Sequence, residues 1–160
     1  MKSFILFSLI AIIHSISIAQ GVSAGQILNR YMVVKEALSE GNYVQANQAG
    51  ALLKAALFVY DDSSETEKTA FLENVSEMYK YASKISSSSD LNEIRNAFAK
   101  LTPAVWNFVS SSPAFNLNYN YLYCTMQKAY WIDYDSSVIN PYVDKSMQEC
   151  GVIRNLNVLQ

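Results

Sequence analysis

The sequence predicts an all-α (mainly) fold: an up-and-down four-helix bundle with a C-terminal Cys-containing segment. Four successive stretches between about residues 25 and 108 carry apolar residues every three or four positions, which is the spacing of one helix face. Short polar links separate these stretches, and short links favour antiparallel neighbours. In segment 114–160 the pattern changes to loosely alternating aromatic and polar residues. We therefore expect a short hairpin or loop there, followed by a short helix.

Each predicted helix has a stripe of inward-facing residues and recognisable ends. Gly41 and Asn42 end the first helix. Ser64 and Glu67 have the spacing of a capping box that opens the third helix, and Asp90 is the expected N-cap of the fourth. The four stripes are Ile27, Tyr31, Val34 and Leu38; Ala49, Leu52, Leu53, Ala56 and Tyr60; Phe71, Val75, Met78, Ala82 and Ile85; and Leu91, Ile94, Phe98, Leu101, Val105 and Phe108.

Two residues inside the predicted helices bear on how the bundle packs. Gly50, among the many alanines of the second helix, would let a neighbouring helix approach closely. Pro103 removes a backbone donor and clashes with the preceding turn, so we expect a kink or an early end near Leu101. The alternative is a short separate turn that begins at Pro103.

Residues 1–19 have the form of a secretory signal peptide. Lys2 precedes an apolar run, and small residues flank a cleavage site between Ala19 and Gln20, with a second candidate site after Ala24. The run is short for an uncleaved anchor helix, which needs roughly 20 apolar residues. Cleavage leaves a single helical-bundle domain over residues 20–160, and the predicted location is periplasmic or secreted.

The charge balance and the lack of histidine in the mature chain argue against several classes of function. After cleavage 11 basic residues face 14 acidic ones without a basic cluster, so we expect no binding to nucleic acid. We also expect no membrane span after signal cleavage. The single histidine, His14, leaves with the signal peptide. A chain without histidine has no Ser-His-Asp or Cys-His pair and no imidazole-rich metal site, and we expect it not to be an enzyme.

Cys124 and Cys150 are the two cysteines of the chain, and their spacing supports two interpretations. Two cysteines in an oxidising compartment most often pair, which predicts a Cys124–Cys150 disulfide. The alternative uses Met126, two residues after Cys124, and Met147, three residues before Cys150. Four sulfur ligands suit a soft ion such as Cu(I). Copper binding needs the two thiolates, whereas a disulfide contains none. The two interpretations therefore belong to different redox states of the cysteines.

The order of these motifs also resembles a known family. The residues CTM, YW, INPY and MQECG are similar to the tail of the domain of unknown function 3347 family, exported helical domains associated with copper-efflux proteins. Thr125 departs from that pattern, which has proline there. The resemblance implies a copper site at Cys124, Met126, Met147 and Cys150, and a copper-efflux membrane-fusion protein or other periplasmic partner. The further matched positions, expected as structural anchors, are Trp131, Asn140, Pro141 and Tyr142.

The remaining polar residues have simpler interpretations. Arg95 lies on the edge of the fourth helix, where its guanidinium could bond the carbonyls of the tail or a carboxylate, as a structural anchor. Four acidic residues of the tail, Asp133, Asp135, Asp144 and Glu149, fit a solvated face better than a cation site.

The sulfur residues and the family resemblance together predict an exported accessory metal-handling domain that binds Cu(I). The alternative is a disulfide-stapled structural or protein-interaction module without metal.

Overall fold

The computed structural model describes residues 21–61, 64–112, 119–134 and 138–154. The expected signal peptide, residues 1–19, lies outside the described residues. The elements in chain order are the helices α1 (Ala24–Ser39), α2 (Tyr43–Phe58), α3 (Glu65–Ser87) and α4 (Leu91–Ser110), the strands β1 (Asn120–Cys124) and β2 (Ala129–Asp133), a 3-10 turn (Lys145–Met147) and the strand β3 (Val152–Ile153). Each helix packs on its neighbour in sequence and α1 also packs on α4, which confirms the predicted four-helix bundle.

Side-chain caps define where the helices begin. Ser23 and Gln26 form a reciprocal capping box at α1, because the hydroxyl and the amide each satisfy an exposed backbone N–H. The Ser64 hydroxyl accepts from the Glu67 amide at α3. The Asp90 carboxylate accepts from the amides of residues 92 and 93 at α4. Gly41, at φ 70°, ends α1 in the left-handed region that glycine adopts without strain.

The predicted early end at Pro103 is wrong, and so is the alternative of a separate turn. Helix α4 runs without interruption from Leu91 to Ser110 with Pro103 inside it. The residues around the proline are fully buried, including Leu101 and Val105, so tertiary packing stabilises the helical path. The Thr102 hydroxyl donates to the Phe98 carbonyl at 3.0 Å, which adds a polar contact at the same turn.

Helices α2 and α3 approach closely at Gly50, as the sequence predicts. A Cβ on Gly50 would lie 2.6 Å from Cγ2 of Ile85 and 3.2 Å from the amide nitrogen of Ser86. The predicted inward position of Leu52 is wrong, because this side chain is 51% exposed. Helix α2 is apolar on both faces, so the spacing of its apolar residues does not identify the buried one.

The C-terminal segment forms a three-stranded antiparallel sheet in the order β2-β1-β3. The predicted hairpin is present: β1 and β2 pair from Asn120–Asp133 to Cys124–Ala129. Its turn ends at Lys128, whose φ is 50°. The predicted short helix is reduced to one 3-10 turn, and β3 pairs with β1 through Leu122–Ile153 and Tyr123–Val152. A two-residue strand carries too little alternation to be recognised in a sequence.

The sheet docks on the bundle through β2, which packs against α4 and α1. Aromatic rings add a contact between α4 and β1: Trp106 of α4 stacks on Tyr121 of β1 at 4.6 Å, and Tyr121 stacks on Tyr130 of β2 at 4.6 Å between ring centroids. Inside the bundle, Tyr31 stacks on Phe98 at 4.7 Å.

Among the helices described here, none combines the length and apolar character needed to cross a membrane.

Candidate functional site

The four sulfur-bearing residues predicted as a site lie at strand ends and turns of the tail. We call Cys124, Met126, Met147 and Cys150 the sulfur end. Cys124 is the last residue of β1 and Met126 lies in the turn that follows it. Met147 ends the 3-10 turn, and the Cys150 amide donates to the Met147 carbonyl at 3.0 Å. One turn of chain therefore holds Met147 near Cys150, and another holds Met126 near Cys124.

The pairing of β1 with β3 brings these two turns to the same place. Tyr123 pairs with Val152, so one further step along this antiparallel register sets Cys124 opposite Gly151. Cys150 is the next residue. Directly opposed residues of an antiparallel pair have Cα atoms about 5 Å apart. The register thus places the two cysteines at one end of the same strand pair.

The predicted disulfide is not formed in this structure, in which Cys124 and Cys150 are free. Neighbouring positions of a strand project to opposite faces, so the register alone does not direct one thiol at the other. Cys124 is fully buried and Cys150 is partly exposed. Within the described ranges no three His, Cys, Asp or Glu side chains are grouped closely enough to hold a metal ion. Within these ranges, the further soft ligands that the sequence places beside the two thiols are the sulfurs of Met126 and Met147.

Exposure differs between the two kinds of sulfur residue. Met126 is 57% exposed and Met147 is 44% exposed, which is unusual for side chains that normally fill cores. The Gln127 amide donates to Sγ of Cys124 at 3.4 Å. The sulfur end thus combines two solvent-accessible thioethers with a buried thiol that already accepts a hydrogen bond.

Asn140 fixes the backbone on the Cys150 side. Its amide side chain donates to the Cys150 carbonyl at 2.6 Å and accepts from the Tyr142 amide at 2.9 Å. Its own backbone amide donates to the Gln148 carbonyl at 2.9 Å. Asn140 is fully buried, so these bonds replace water at each of its polar groups. The Asn140 side chain therefore holds the backbone that leads from Cys150 into β3.

Arg95 connects helix α4 to the same part of the tail. Its Nε donates to the Pro141 carbonyl at 3.0 Å and an Nη donates to the Val143 carbonyl at 2.9 Å. The other Nη lies 3.5 Å from the carboxylate of Asp144. A planar guanidinium suits this forked geometry. The contacts hold the chain on both sides of Tyr142 against the bundle.

Trp131 and Tyr142 fill the space between the sheet and the tail. Trp131 is fully buried, and a Cβ on Gly151 would lie 2.4 Å from its Cη2. The Tyr142 hydroxyl donates to the Tyr130 carbonyl. The indole Nε1 of Trp131 is buried without a hydrogen-bond partner among the described residues. Close approach of the backbone at Gly151 thus sets the position of Cys150 relative to the sheet.

Lys35 and Asp133 form a buried ion pair that the sequence interpretation missed. The ammonium of Lys35 on α1 lies 2.5 Å from the carboxylate of Asp133 at the end of β2. The side chains are 6% and 4% exposed, so the predicted solvated position of Asp133 is wrong. A lysine placed within the buried stripe of α1, four residues after Tyr31, is the sequence feature that could have indicated a buried partner.

Of the other three acidic residues of the tail, two are exposed as predicted and the third is not described by the structure. The Asp144 side chain is 81% exposed although it lies beside Arg95, and Glu149 is exposed. Asp135 lies outside the described residues. Asp133, Asp144 and Glu149, the three of these residues that the structure describes, thus belong to separate environments and do not converge on one cation.

Tyr31 adds a second polar link between α1, α4 and the sheet. Its hydroxyl lies 2.8 Å from the hydroxyl of Thr102 and accepts from the Ile132 amide at 3.1 Å. Burial raises the pKa of Tyr31 above its ordinary value, against the opposing effects of these hydrogen bonds. Burial likewise raises the pKa of Tyr121 and of Tyr142. These phenols are neutral donors and acceptors across the neutral pH range.

Fold and site together define a small helical-bundle domain whose C-terminal sheet carries a sulfur-rich end. Residues 27–116 match the family described as "Protein of unknown function (DUF3347)". The match spans more than half of the chain, and the protein belongs to this family. It begins within α1, includes the other three helices and stops before β1, so the family match does not extend to the sulfur end. No curated protein and no solved structure matches the chain.

Proposed function

We propose that this protein is an exported accessory domain that binds Cu(I) through the sulfur end. The observation that carries the proposal is the β1–β3 register, which sets Cys150 one position from the residue opposite Cys124. Each cysteine has a methionine within one turn of chain. Thiolate and thioether sulfur are the ligands that Cu(I) prefers. We propose a copper-efflux membrane-fusion protein or another periplasmic protein as the partner for metal transfer.

The exposure of each sulfur atom determines the order in which the four residues would contact a Cu(I) ion. Met126 and Met147 are exposed and would contact the ion first, whereas Cys124 is fully buried beneath the turn at 125–128. The turn must therefore move before Sγ of Cys124 can bind, and this movement would break the Gln127 N–H bond to Sγ. Binding is expected to order this turn and the Met147–Cys150 turn together.

An anaerobic titration of the reduced protein with Cu(I), in competition with a coloured Cu(I) chelator, tests this proposal. We expect one Cu(I) per chain. Cys124→Ser and Cys150→Ser should each abolish binding, and Met126→Leu and Met147→Leu should each weaken it about tenfold or more. The matched control is Met32→Leu, because Met32 is a buried methionine of α1 that is not part of the sulfur end. No uptake by fully reduced protein would reject the proposal.

The second candidate is a structural or protein-interaction module in which Cys124 and Cys150 form a disulfide. The same register brings the two cysteines to one end of the strand pair, and a disulfide requires Cα atoms about 4.4–6.8 Å apart. Counting free thiols in protein isolated from its native compartment separates the two functions. Two oxidised cysteines with no copper uptake after reduction support the structural module. Two free thiols with stoichiometric uptake support copper binding.

A further inference from the structure

We infer that the cleft between helices α3 and α4 binds a small organic dianion, held by the ammonium groups of Lys84 and Lys100. The cleft has a volume of about 580 Å³, and small-molecule sites have volumes of roughly 300–1,000 Å³. Residues of its lining that bear on binding are Tyr81, Lys84, Glu93, Asn96, Ala97 and Lys100. The inference is independent of the sulfur end, which lies on the C-terminal sheet.

The space in the cleft lies where a small residue of α4 faces an aromatic residue of α3. Residues 88–90 link the end of α3 at Ser87 to the start of α4 at Leu91, and so short a link makes the two helices antiparallel. Counting back from Ser87 and forward from Leu91, Tyr81 is level with Ala97. Ala97 is buried, and its methyl group leaves room beside the Tyr81 ring. The floor of the cleft is therefore apolar.

The two lysines approach this level from opposite ends of the cleft. Side chains of an α-helix tilt toward its N-terminus. Lys84 therefore leans from the loop end toward Tyr81, and its Nζ lies 5.6 Å from the centroid of that ring. Lys100 lies three residues after Ala97 on the antiparallel helix, so its stem leans back toward the same level. The helical geometry thus directs both ammonium groups at the middle of the cleft.

The charges of these two lysines are not balanced by the described part of the chain. Neither Lys84 nor Lys100 takes part in an ion pair there. Glu93, an acidic residue of the lining, accepts from the Ser88 hydroxyl at 2.7 Å. Its side chain leans toward the loop and away from the two ammonium groups. An anion between two converging cations relieves their mutual repulsion, so the cleft is a positive site on a chain of net charge −2.

A third lysine beside Tyr81 does not contribute to this site. The Nζ of Lys80 lies 4.9 Å from the centroid of the Tyr81 ring, but it is paired with the Glu77 carboxylate at 2.9 Å. The nearby acidic groups of α3 and α4 are thus engaged by Lys80 and by the Ser88 hydroxyl. Lys84 and Lys100 keep their charges for a ligand.

The groups in the lining identify the class of ligand. Two ammonium groups match two negative charges, and the Asn96 amide can donate a further hydrogen bond. Lysine binds carboxylate and phosphate oxygens as a point charge on a flexible stem. The apolar floor beside Ala97 and the volume of the cleft fit a ligand whose charges come with a short carbon body. Dicarboxylates and phosphate monoesters share this chemistry.

A nuclear magnetic resonance titration of the isotope-labelled protein with succinate and, separately, with glycerol phosphate tests the inference. The buffer contains about 150 mM NaCl, so that weak attraction between exposed charges is screened. We expect saturable shifts at the amides of Lys84, Ala97 and Lys100 for at least one of the two ligands, with one site per chain. The tighter ligand identifies the anionic group. Succinamide and glycerol, the uncharged counterparts, should give no saturable shift.

Substitutions distinguish this site from general attraction of anions. Lys84→Gln and Lys100→Gln should each weaken binding about tenfold, since each removes one charge-assisted hydrogen bond. The matched control is Lys54→Gln, because the Nζ of Lys54 also lies near a tyrosine ring, 6.0 Å from the centroid of Tyr79, but outside the cleft lining. It should leave binding unchanged. Ala97→Met fills the cleft without a change of charge and should block binding.

Circular dichroism verifies that each variant is folded, and the lysine variants decide the result if Ala97→Met is not. The absence of a saturable shift with both dianions overturns the inference. So does equal weakening by Lys54→Gln, or binding of succinamide or glycerol that equals binding of the dianions.

Discussion

The ammonium nitrogen of Lys35 lies 2.5 Å from a carboxylate oxygen of Asp133, and this buried contact joins the first helix to the last residue of β2. The two residues are 98 positions apart in the sequence. A second bond supports the carboxylate, since the Tyr134 amide donates to its other oxygen at 3.0 Å. Taking two charges out of water is unfavourable unless they are paired and hydrogen-bonded. The pair therefore makes the position of the sheet dependent on α1.

Removing one member of this pair should be strongly destabilising. Lys35→Met or Asp133→Asn should each lower the free energy of unfolding by about 3–5 kcal/mol, since the first leaves a buried carboxylate without its cation and the second a buried ammonium without its anion. Lys35→Met combined with Asp133→Leu should lose less than the two single changes together. Urea denaturation measures all three variants. Lys80→Met, which breaks the exposed pair with Glu77, is the control and should change little.

The buried tyrosines should make the protein unstable in alkali. Burial raises the pKa of Tyr31 in the folded state, whereas in the unfolded chain it titrates near the ordinary value of about 10. Stability should therefore be fully present below about pH 10 and fall as the pH rises further, since the unfolded state loses the proton first. Thermal melts from pH 7 to pH 11 measure this dependence.

The variant Tyr31→Phe separates the contribution of Tyr31 to the loss of stability in alkali from that of other groups. Tyr31→Phe should lose about 1–2 kcal/mol at neutral pH, because Thr102 and the Ile132 amide lose a hydrogen-bond partner. Its stability should then fall less steeply above pH 10. Tyr79→Phe is the control, because Tyr79 is 45% exposed. An unchanged alkaline slope in Tyr31→Phe would contradict the assignment.

Arg95 should hold the tail on the bundle. Arg95→Lys should lower stability by about 1–3 kcal/mol, because a single ammonium cannot reach the Pro141 and Val143 carbonyls in the same forked geometry. Hydrogen exchange should accelerate at the amides of Asn140 and Tyr142 more than in α2.

Two matched substitutions check this role. Asp144→Asn should have little effect, because the Asp144 side chain is 81% exposed and its contact with Arg95 is screened by water. Arg154→Lys changes an exposed arginine near the chain end and should leave exchange at Asn140 and Tyr142 unchanged. Equal acceleration in all three variants would show that the guanidinium of Arg95 has no specific function.

Gly50 should tolerate no side chain. Gly50→Ala should lower the free energy of unfolding by about 1–3 kcal/mol, since its Cβ would lie 2.6 Å from Cγ2 of Ile85 and α2 would have to move away from α3. Gly25→Ala is the matched control within a helix, because the nearest atom to its Cβ would be Oγ of Ser23 at 3.9 Å. Gly25→Ala should therefore lose no stability in the same denaturation experiment.

Local patterns were sufficient for the four helices and for two of their N-caps, Ser64 and Asp90. The spacing of Ile27, Tyr31, Val34 and Leu38 predicts a helix face, and all four are fully buried. Asp90 is the N-cap that its position predicts. These features depend on residues within a few positions of one another, so the sequence contains the information directly. Pro103 was misinterpreted because a local rule disfavours proline in a helix, whereas burial of its neighbours holds α4 together.

The sequence by itself determined the number of helices and the identity of the sulfur-bearing residues, and it left a hairpin or a loop open for the tail. Only the tertiary structure decided that β3 pairs with β1 beside Cys124, that Asp133 is buried on Lys35, and that Leu52 faces outward. These three results depend on contacts between residues far apart in the chain or on which side of an apolar helix the bundle covers. Periodicity describes one element at a time, whereas the burial of a charge or the pairing of a short strand is set by what packs against it.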